Sequence, residues 1–360
     1  MPAFADAHTH LPQFRIRQSG KAILYDWLRD IVFPEEARFI DAEYTTKVTN
    51  EFFTDLAKNG TLLAMIYLSP FFETISSISQ LPLGLNRIYF KAGPILMNNG
   101  NKFNFESDTE TILENAEETA SWLKQKFLVS PRYAPICDEK LLRGLAEIAS
   151  EHDLFIQTHL GELPDEFEKA RSNFPNARFY TEIFANSGLL TNRTIFGHCL
   201  YLEDEDYKAL AKSGALVAHL PVANEALGSG RMPLEKLRKF EVNWALGTDV
   251  GASPTLSMLA VMQSFIRSHE KFTNVTACEA LYRATRALPE FLAMQNHGQI
   301  KEEASANLIL VKSDKISNSC DAESTLRTLI EGNYAQLEEK VTATVNKGKI
   351  IAGTIEGLNT

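Results

Sequence analysis

Two histidines stand one residue apart in AFADAHTHLPQF, residues 3–14. In an extended strand residues i and i+2 face the same side, so His8 and His10 converge on one point. Three more histidines fall in short apolar runs: His159 in LFIQTHLG, His198 in TIFGHCL and His219 in ALVAHLP. Asp249 follows in NWALGTDV. Neutral imidazoles with a carboxylate are the ligand set of a catalytic divalent ion that keeps one position open for water. One strand histidine alone is more often packing than chemistry. Five of them with an aspartate, each near the end of a β-like run, are not explained by packing. Glu162 lies three residues past His159. A carboxylate there could take a proton from a metal-activated water and deliver it to a substrate nitrogen.

These groups are far apart in sequence, so the fold must gather them. Eight β-rich runs (3–10, 62–68, 87–95, 127–134, 154–161, 194–200, 215–221 and 243–250) alternate with amphipathic stretches such as 42–58, 109–126, 138–152 and 203–213. Alternation implies a parallel sheet, and eight repeats predict a (β/α)8 TIM-type barrel over residues 1–300. Every strand of such a barrel ends at one face, where its active sites are built. Residues 11–41 form a long connection that carries Trp27, Phe33 and Phe39 and is expected to fold over something. From residue 301 to 360 the pattern changes. ANLILVKS and VTATVNKGKII read as two strands of a small β appendage.

Composition narrows the class. The chain has 360 residues, 44% of them hydrophobic, and a net charge of −10 with no basic run, which argues against a nucleic-acid partner. Cys137, Cys199, Cys278 and Cys320 are scattered and form no CxxC pair, the pattern of a reduced intracellular protein without a cysteine zinc site. No apolar run approaches the ~18 residues of a membrane span. The expectation is a cytoplasmic protein with no membrane partner, with a homodimer left open.

DAHTHLPQF, WLRDIVFPEEARF, SPRYAP, QTHLGE, GLLTNRTIFGHC and GTDVGASPTLSML, in this order, resemble the guanine deaminases of the amidohydrolase superfamily. The likeness runs from residue 3 to about residue 290, with a weaker tail in ANLILV and NKGKII. It implies one Zn2+ per chain (Fe2+ is the alternative) on His8, His10, His159, His198 and Asp249. Asp249 then helps to activate the water, Glu162 shuttles protons and His219 lies beside the reacting carbon. A purine pocket of Gln13, Trp27 and Arg132 is also implied, with Tyr133 where phenylalanine is common. The guanidinium fork of Arg132 suits a purine's carbonyl edge. The implied reaction converts guanine and water to xanthine and ammonia.

Some positions depart from the family pattern. Relatives usually carry a further segment before the HxH strand that completes a β-sandwich with the C-terminal strands. The appendage is therefore expected to be reduced and to present an edge needing cover. Leu220, Val222, Ala223, Asn98 and Ala252 stand where other residues are usual. Two alternatives follow. One is an amidohydrolase for another purine, a pterin or a triazine-like ring, although an adenine-like ring would gain little from Arg132 and Gln13. The other is a truncated, non-catalytic homologue kept for binding.

Overall fold

A computed structural model describes residues 1–17, 24–99, 108–313 and 321–354. Its centre is a ring of eight strands: β1 (Phe4–His10), β2 (Thr61–Leu68), β3 (Tyr89–Leu96), β4 (Leu128–Pro131), β5 (Phe155–Leu160), β6 (Thr194–His198), β7 (Leu216–His219) and β8 (Asn243–Leu246). They are parallel neighbours in chain order. Six fall within the expected runs, while β2 starts one residue earlier and β3 ends one residue later than expected, and the order is that of a (β/α)8 barrel.

Alternation along the strands separates two cores. Leu216 and Ala218 of β7 join Ala5, Ala7, Met65 and Ile195 in a cluster inside the barrel. Val217 packs in the outer layer, among residues of the surrounding helices. That parity sets which side each strand residue faces, and in β1 a register shift between Asp6 and Thr9 resets it before His10.

The ring closes between β8 and β1 largely through one side chain. Asp6 accepts hydrogen bonds from the backbone N–H of His8 (3.1 Å) and Thr248 (2.9 Å), and from the Thr248 hydroxyl (2.5 Å). The Asp249 N–H donates to the His8 carbonyl at 2.8 Å. Asp6 is completely buried, and these donors offset the cost of placing a carboxyl there.

The helices expected at 42–58, 109–126, 138–152 and 203–213 occur at Ala42–Lys58, Thr109–Leu123, Glu139–Glu151 and Asp204–Ser213. Asp41, Asp108 and Asp138 cap the first three by accepting a backbone N–H. Gly214 ends the fourth in the left-handed region, φ +74°. The long 11–41 connection is a chain of short helical turns, at Leu11–Ile16, Leu24–Trp27, Leu28–Val32, Phe33–Ala37 and Arg38–Ile40. Residues 18–23 of it lie outside the described residues. Trp27 and Phe39 are buried.

The appendage has three strands rather than the two expected: β9 (Leu308–Val311), β10 (Val341–Asn346) and β11 (Lys349–Gly353), antiparallel in the order β11-β10-β9. VTATVNKGKII is a hairpin because Lys347 (φ +47°) and Gly348 (φ +76°) turn the chain back on itself. The edge expected to need cover is partly paired. The Met1 nitrogen donates to the Ile309 carbonyl (2.9 Å), Ile309 N–H returns a bond to Met1 (3.0 Å), and Ala3 N–H reaches Asn307 (3.0 Å). Thr344 Oγ1 fastens the sheet to the Ala42–Lys58 helix through the Ala57 carbonyl at 2.6 Å. Cys137 and Cys199 are buried free thiols and Cys278 is an exposed one, while Cys320 lies outside the described residues. Among the described residues no helix is long and apolar enough to cross a membrane.

Candidate active site

The C-terminal ends of β1, β5, β6 and β8 bring the histidines and Asp249 together. His8 Nε2 and His10 Nε2 lie 3.2 Å apart, and His10 Nε2 is 3.2 Å from His159 Nε2. Asp249 Oδ1 sits 3.5 Å from His8 Nε2 and 3.4 Å from His10 Nε2. At the rim of this group, His198 Nε2 is 3.4 Å from Glu162 Oε2 and 3.9 Å from Asp249 Oδ2.

Local backbone makes the convergence possible. His198 and Asp249 have φ of +69° and +52°, a region that side chains other than glycine's seldom adopt. His198 ends β6 and Asp249 lies three residues past β8, and such conformations concentrate where function demands a particular side-chain direction. Gly197 is required beside them, because a Cβ there would stand 2.7 Å from the His8 ring.

Two ring tautomers follow from hydrogen bonds. His159 Nδ1 lies 2.8 Å from the Arg132 carbonyl and His198 Nδ1 lies 2.9 Å from Asn224 Oδ1. Both acceptors require a proton on Nδ1, so each Nε2 presents a lone pair to the shared centre. His8 Nδ1, His10 Nδ1 and His198 Nε2 are buried with no hydrogen-bond partner. Burial, followed by the neighbouring rings, holds His8 and His10 well below the usual imidazole range, and His159 likewise. Lone pairs of neutral imidazoles facing one another beside a carboxylate repel unless a cation lies between them. The donor set therefore fits a divalent metal.

Two carboxyls flank that centre with raised pKa values. Burial, then the Asp249 charge, pushes Glu162 up to about 8, and burial lifts Asp249 to about 6. A cation in the centre would oppose both shifts. Glu162 is held by the Ser229 hydroxyl at 3.2 Å. Its backbone is held by Glu166, whose carboxylate accepts N–H bonds from Gly161 (2.9 Å), Glu162 (3.0 Å) and Leu163 (2.9 Å).

The expected substrate residues, Gln13, Trp27, Arg132 and Tyr133, all line one cavity with His10, His159, His198, Glu162 and Asp249. Arg132 and Gln13 are joined by a residue the sequence did not single out. Glu36 accepts from Arg132 Nη1 at 2.9 Å and from Gln13 Nε2 at 3.1 Å.

His219 requires correction. It does not line this cavity. Its Nε2 lies 2.9 Å from His269 Nε2, and its ring packs against Trp244 and Phe265. Strand parity is the cause: Leu216 and Ala218 fill the barrel interior, so His219 faces the helices. Besides Glu36 and Glu166, sequence reasoning missed Asn224 and Tyr67. The Tyr67 ring stacks on His10 with centroids 4.4 Å apart. A tyrosine one turn of alternation from the end of LLAMIYL was the only available signal.

Comparison with known proteins places the chain. The model of the amidohydrolase family matches residues 1–358. Rat guanine deaminase is 33% identical over 271 residues, which cover 72% of this chain and 59% of that protein. The Dictyostelium discoideum guanine deaminase is 28% identical over 299 residues, covering 79% of this chain and 66% of its own length. The chain thus spans about two thirds or less of these curated relatives. A guanine deaminase structure from C. acetobutylicum, with guanine bound in its active site, superposes with a TM-score of 0.89 at 26% identity, over 98% of this chain and 86% of that one. The E. coli guanine deaminase structure shares the fold, with a TM-score of 0.89 at 23% identity over 98% and 84% of the two chains. A match over nearly the whole sequence, on a barrel whose mouth gathers histidines and a carboxylate, shows that this chain belongs to the amidohydrolase family.

Proposed function

We propose that this chain hydrolyses guanine to xanthine and ammonia with the help of one zinc ion, Fe2+ being the alternative. The observation that carries the proposal is the pairing, in one cavity, of the histidine–aspartate centre with a buried guanidinium and a carboxamide both fixed by Glu36. The C. acetobutylicum relative with bound guanine supports the same reading.

His8, His10, His159, His198 and Asp249 would hold the metal. A divalent ion there lowers water's pKa toward ~7 and so makes hydroxide available at neutral pH. The chain's own residues do the rest. Arg132 and Gln13 grip the edge of the purine, and Trp27 and Tyr133 wall the cavity and exclude solvent. Glu162 takes the proton of the attacking water and passes it to the ring nitrogen next to the carbon that carries the amine. The C–N bond to that amine then breaks, and the nitrogen leaves as ammonia after a further proton transfer. Glu162 lies beside His198 at the edge of the centre and lines the cavity, where it can hold a proton between the two transfers. Asp249 faces the histidine pair through one oxygen and His198 through the other, which keeps the reacting groups aligned.

The test is direct. The purified chain is assayed for zinc by elemental analysis and for ammonia release from guanine, with adenine and cytosine derivatives as controls. Arg132→Ala should lower kcat/KM for guanine by roughly 10²-fold, as expected for a lost charged hydrogen bond. Unchanged guanine turnover in that variant would sink the pocket assignment.

A further inference from the structure

Glu36 is completely buried, 96 residues from Arg132 and 23 from Gln13 in sequence, yet it binds both. It lies in the turn Phe33–Ala37, where Pro34 occupies the first positions of the helix. Phe33 in the same turn lies under Arg132, with the guanidinium 4.9 Å from the ring centroid. The side chain of Arg132 is only 4% exposed and that of Glu36 0%, so this is a fully desolvated ion pair. Such a pair is seldom retained for stability alone, because well-packed apolar residues can do as well.

Its geometry fixes which atoms face a ligand. A carboxylate only accepts, so the Gln13 atom facing Glu36 must be the amide nitrogen, and Gln13 Oε1 is left as the outward acceptor. Gly251 leaves room for the Gln13 side chain, since a Cβ there would lie 2.4 Å from Gln13 Cβ and 2.5 Å from its Oε1. Arg132 gives Nη1 to Glu36, and among the described residues its other N–H groups have no protein acceptor. The cavity wall thus offers donors from Arg132 and an acceptor from Gln13, in that fixed sense.

We propose that Glu36 is a positioning residue that sets the hydrogen-bonding polarity of the substrate pocket, selecting purines that present a carbonyl acceptor to Arg132 and a ring N–H donor to Gln13. The proposal rests on the guanine reading above and adds what makes it selective. A purine with an amine in place of that carbonyl, such as 2,6-diaminopurine, sets donor against donor at Arg132. A site built to match polar groups rejects such a mismatch strongly, because its own buried groups are left unpaired.

Wild type and Glu36→Gln are compared for kcat and KM with guanine and with 2,6-diaminopurine, alongside zinc content and guanine binding by calorimetry. In the variant a neutral amide faces Gln13, and the Gln13 carboxamide is free to turn over. We expect KM for guanine to rise about 10- to 100-fold, kcat to change little, and the preference for guanine over 2,6-diaminopurine to fall at least tenfold. A merely structural role would reduce the active fraction, and hence the apparent kcat, at unchanged KM and unchanged preference. That outcome overturns the assignment. Should Glu36→Gln fail to fold, the wild type still decides: turnover of 2,6-diaminopurine comparable to that of guanine overturns the fixed polarity. A wild type that neither binds nor turns over guanine overturns the guanine reading as well. One that does both while Glu36→Gln behaves identically overturns only the role of Glu36.

Discussion

Glu162 has two neighbours that define its work: Ser229 holds one oxygen, and His198 lies beside the other. Removing its ionisable oxygen while keeping its shape isolates the proton transfer. Glu162→Gln should lower kcat for guanine by 10²- to 10⁴-fold with little change in KM, read by steady-state ammonia release. A loss confined to KM would instead make Glu162 a binding group. Much of this site is legible in sequence because its residues sit in short strand-ending motifs: HTH, THLGE, FGHC and GTDV. Glu36 is not. FPEEARF contains two adjacent glutamates, both buried in the structure, and local periodicity cannot say which one meets an arginine just beyond the end of β4. Asp6 and Asn224 are hidden for the same reason, since their partners lie 242 and 26 residues away.

Among the elements, the loop after β5 carries Glu162, and Glu166 ties it down. One Glu166 oxygen takes the Glu162 and Leu163 N–H groups, and the other takes Gly161 N–H and the Tyr180 hydroxyl. A carboxamide can satisfy only one of those sides. Glu166→Gln should therefore lower kcat about tenfold or more at unchanged zinc content, and equal kcat would show that the loop holds itself. The contact between β7 and the helix Met258–His269 makes a different prediction. Burial, then the Arg231 charge, depresses His269 to about 4, below its ordinary value of 6.5. Between those values the unfolded chain binds the proton and the folded chain does not. Stability is therefore full above pH 6.5 and lost as pH falls toward 4, by up to about 1.4 kcal/mol per pH unit for this one group. Denaturation followed from pH 7 to 4.5 should show a fall in stability to which the other buried histidines also contribute, and His269→Gln should reduce its slope by up to this one group's share. An unchanged slope places the titration elsewhere. The alternation rule that located the barrel core also shows why His219 belongs to this contact. Read with that parity, ALVAHLP already alternates inside and outside, but only the ring of eight strands reveals which side is the mouth.

At the scale of the whole molecule, the eight strands were legible because each apolar run is short and is separated from the next by a helical stretch. Other features were not, because they depend on pairing between distant segments. These include the hairpin at Lys347–Gly348, the cover of β9 by residues 1–3, and the wrapping of residues 321–340 over the barrel. That wrapping is made by such contacts as Gln263 Nε2 with the Ile330 carbonyl (2.6 Å) and Glu323 with the Ala277 N–H (2.9 Å). A metal bound only by the folded barrel adds stability by mass action. Chelation should lower Tm by roughly 5–10 °C, restored by zinc, and calorimetry on the purified chain checks this.

The first ten residues do two jobs in one continuous stretch. Met1 and Ala3 are laced to β9, and five residues beyond Ala3 the same strand delivers His8 and then His10 to the barrel mouth. Such a strand behaves as a taut cord between the small sheet and the proposed metal ligands. Slack introduced at either end would be felt at the other. Amide protons of Ile309 and Ala3 should exchange faster when the ion is stripped, although they lie at the opposite end of the strand from the site. Protection at the seam between sheet and barrel thus becomes a remote gauge of whether the ligand cage is filled.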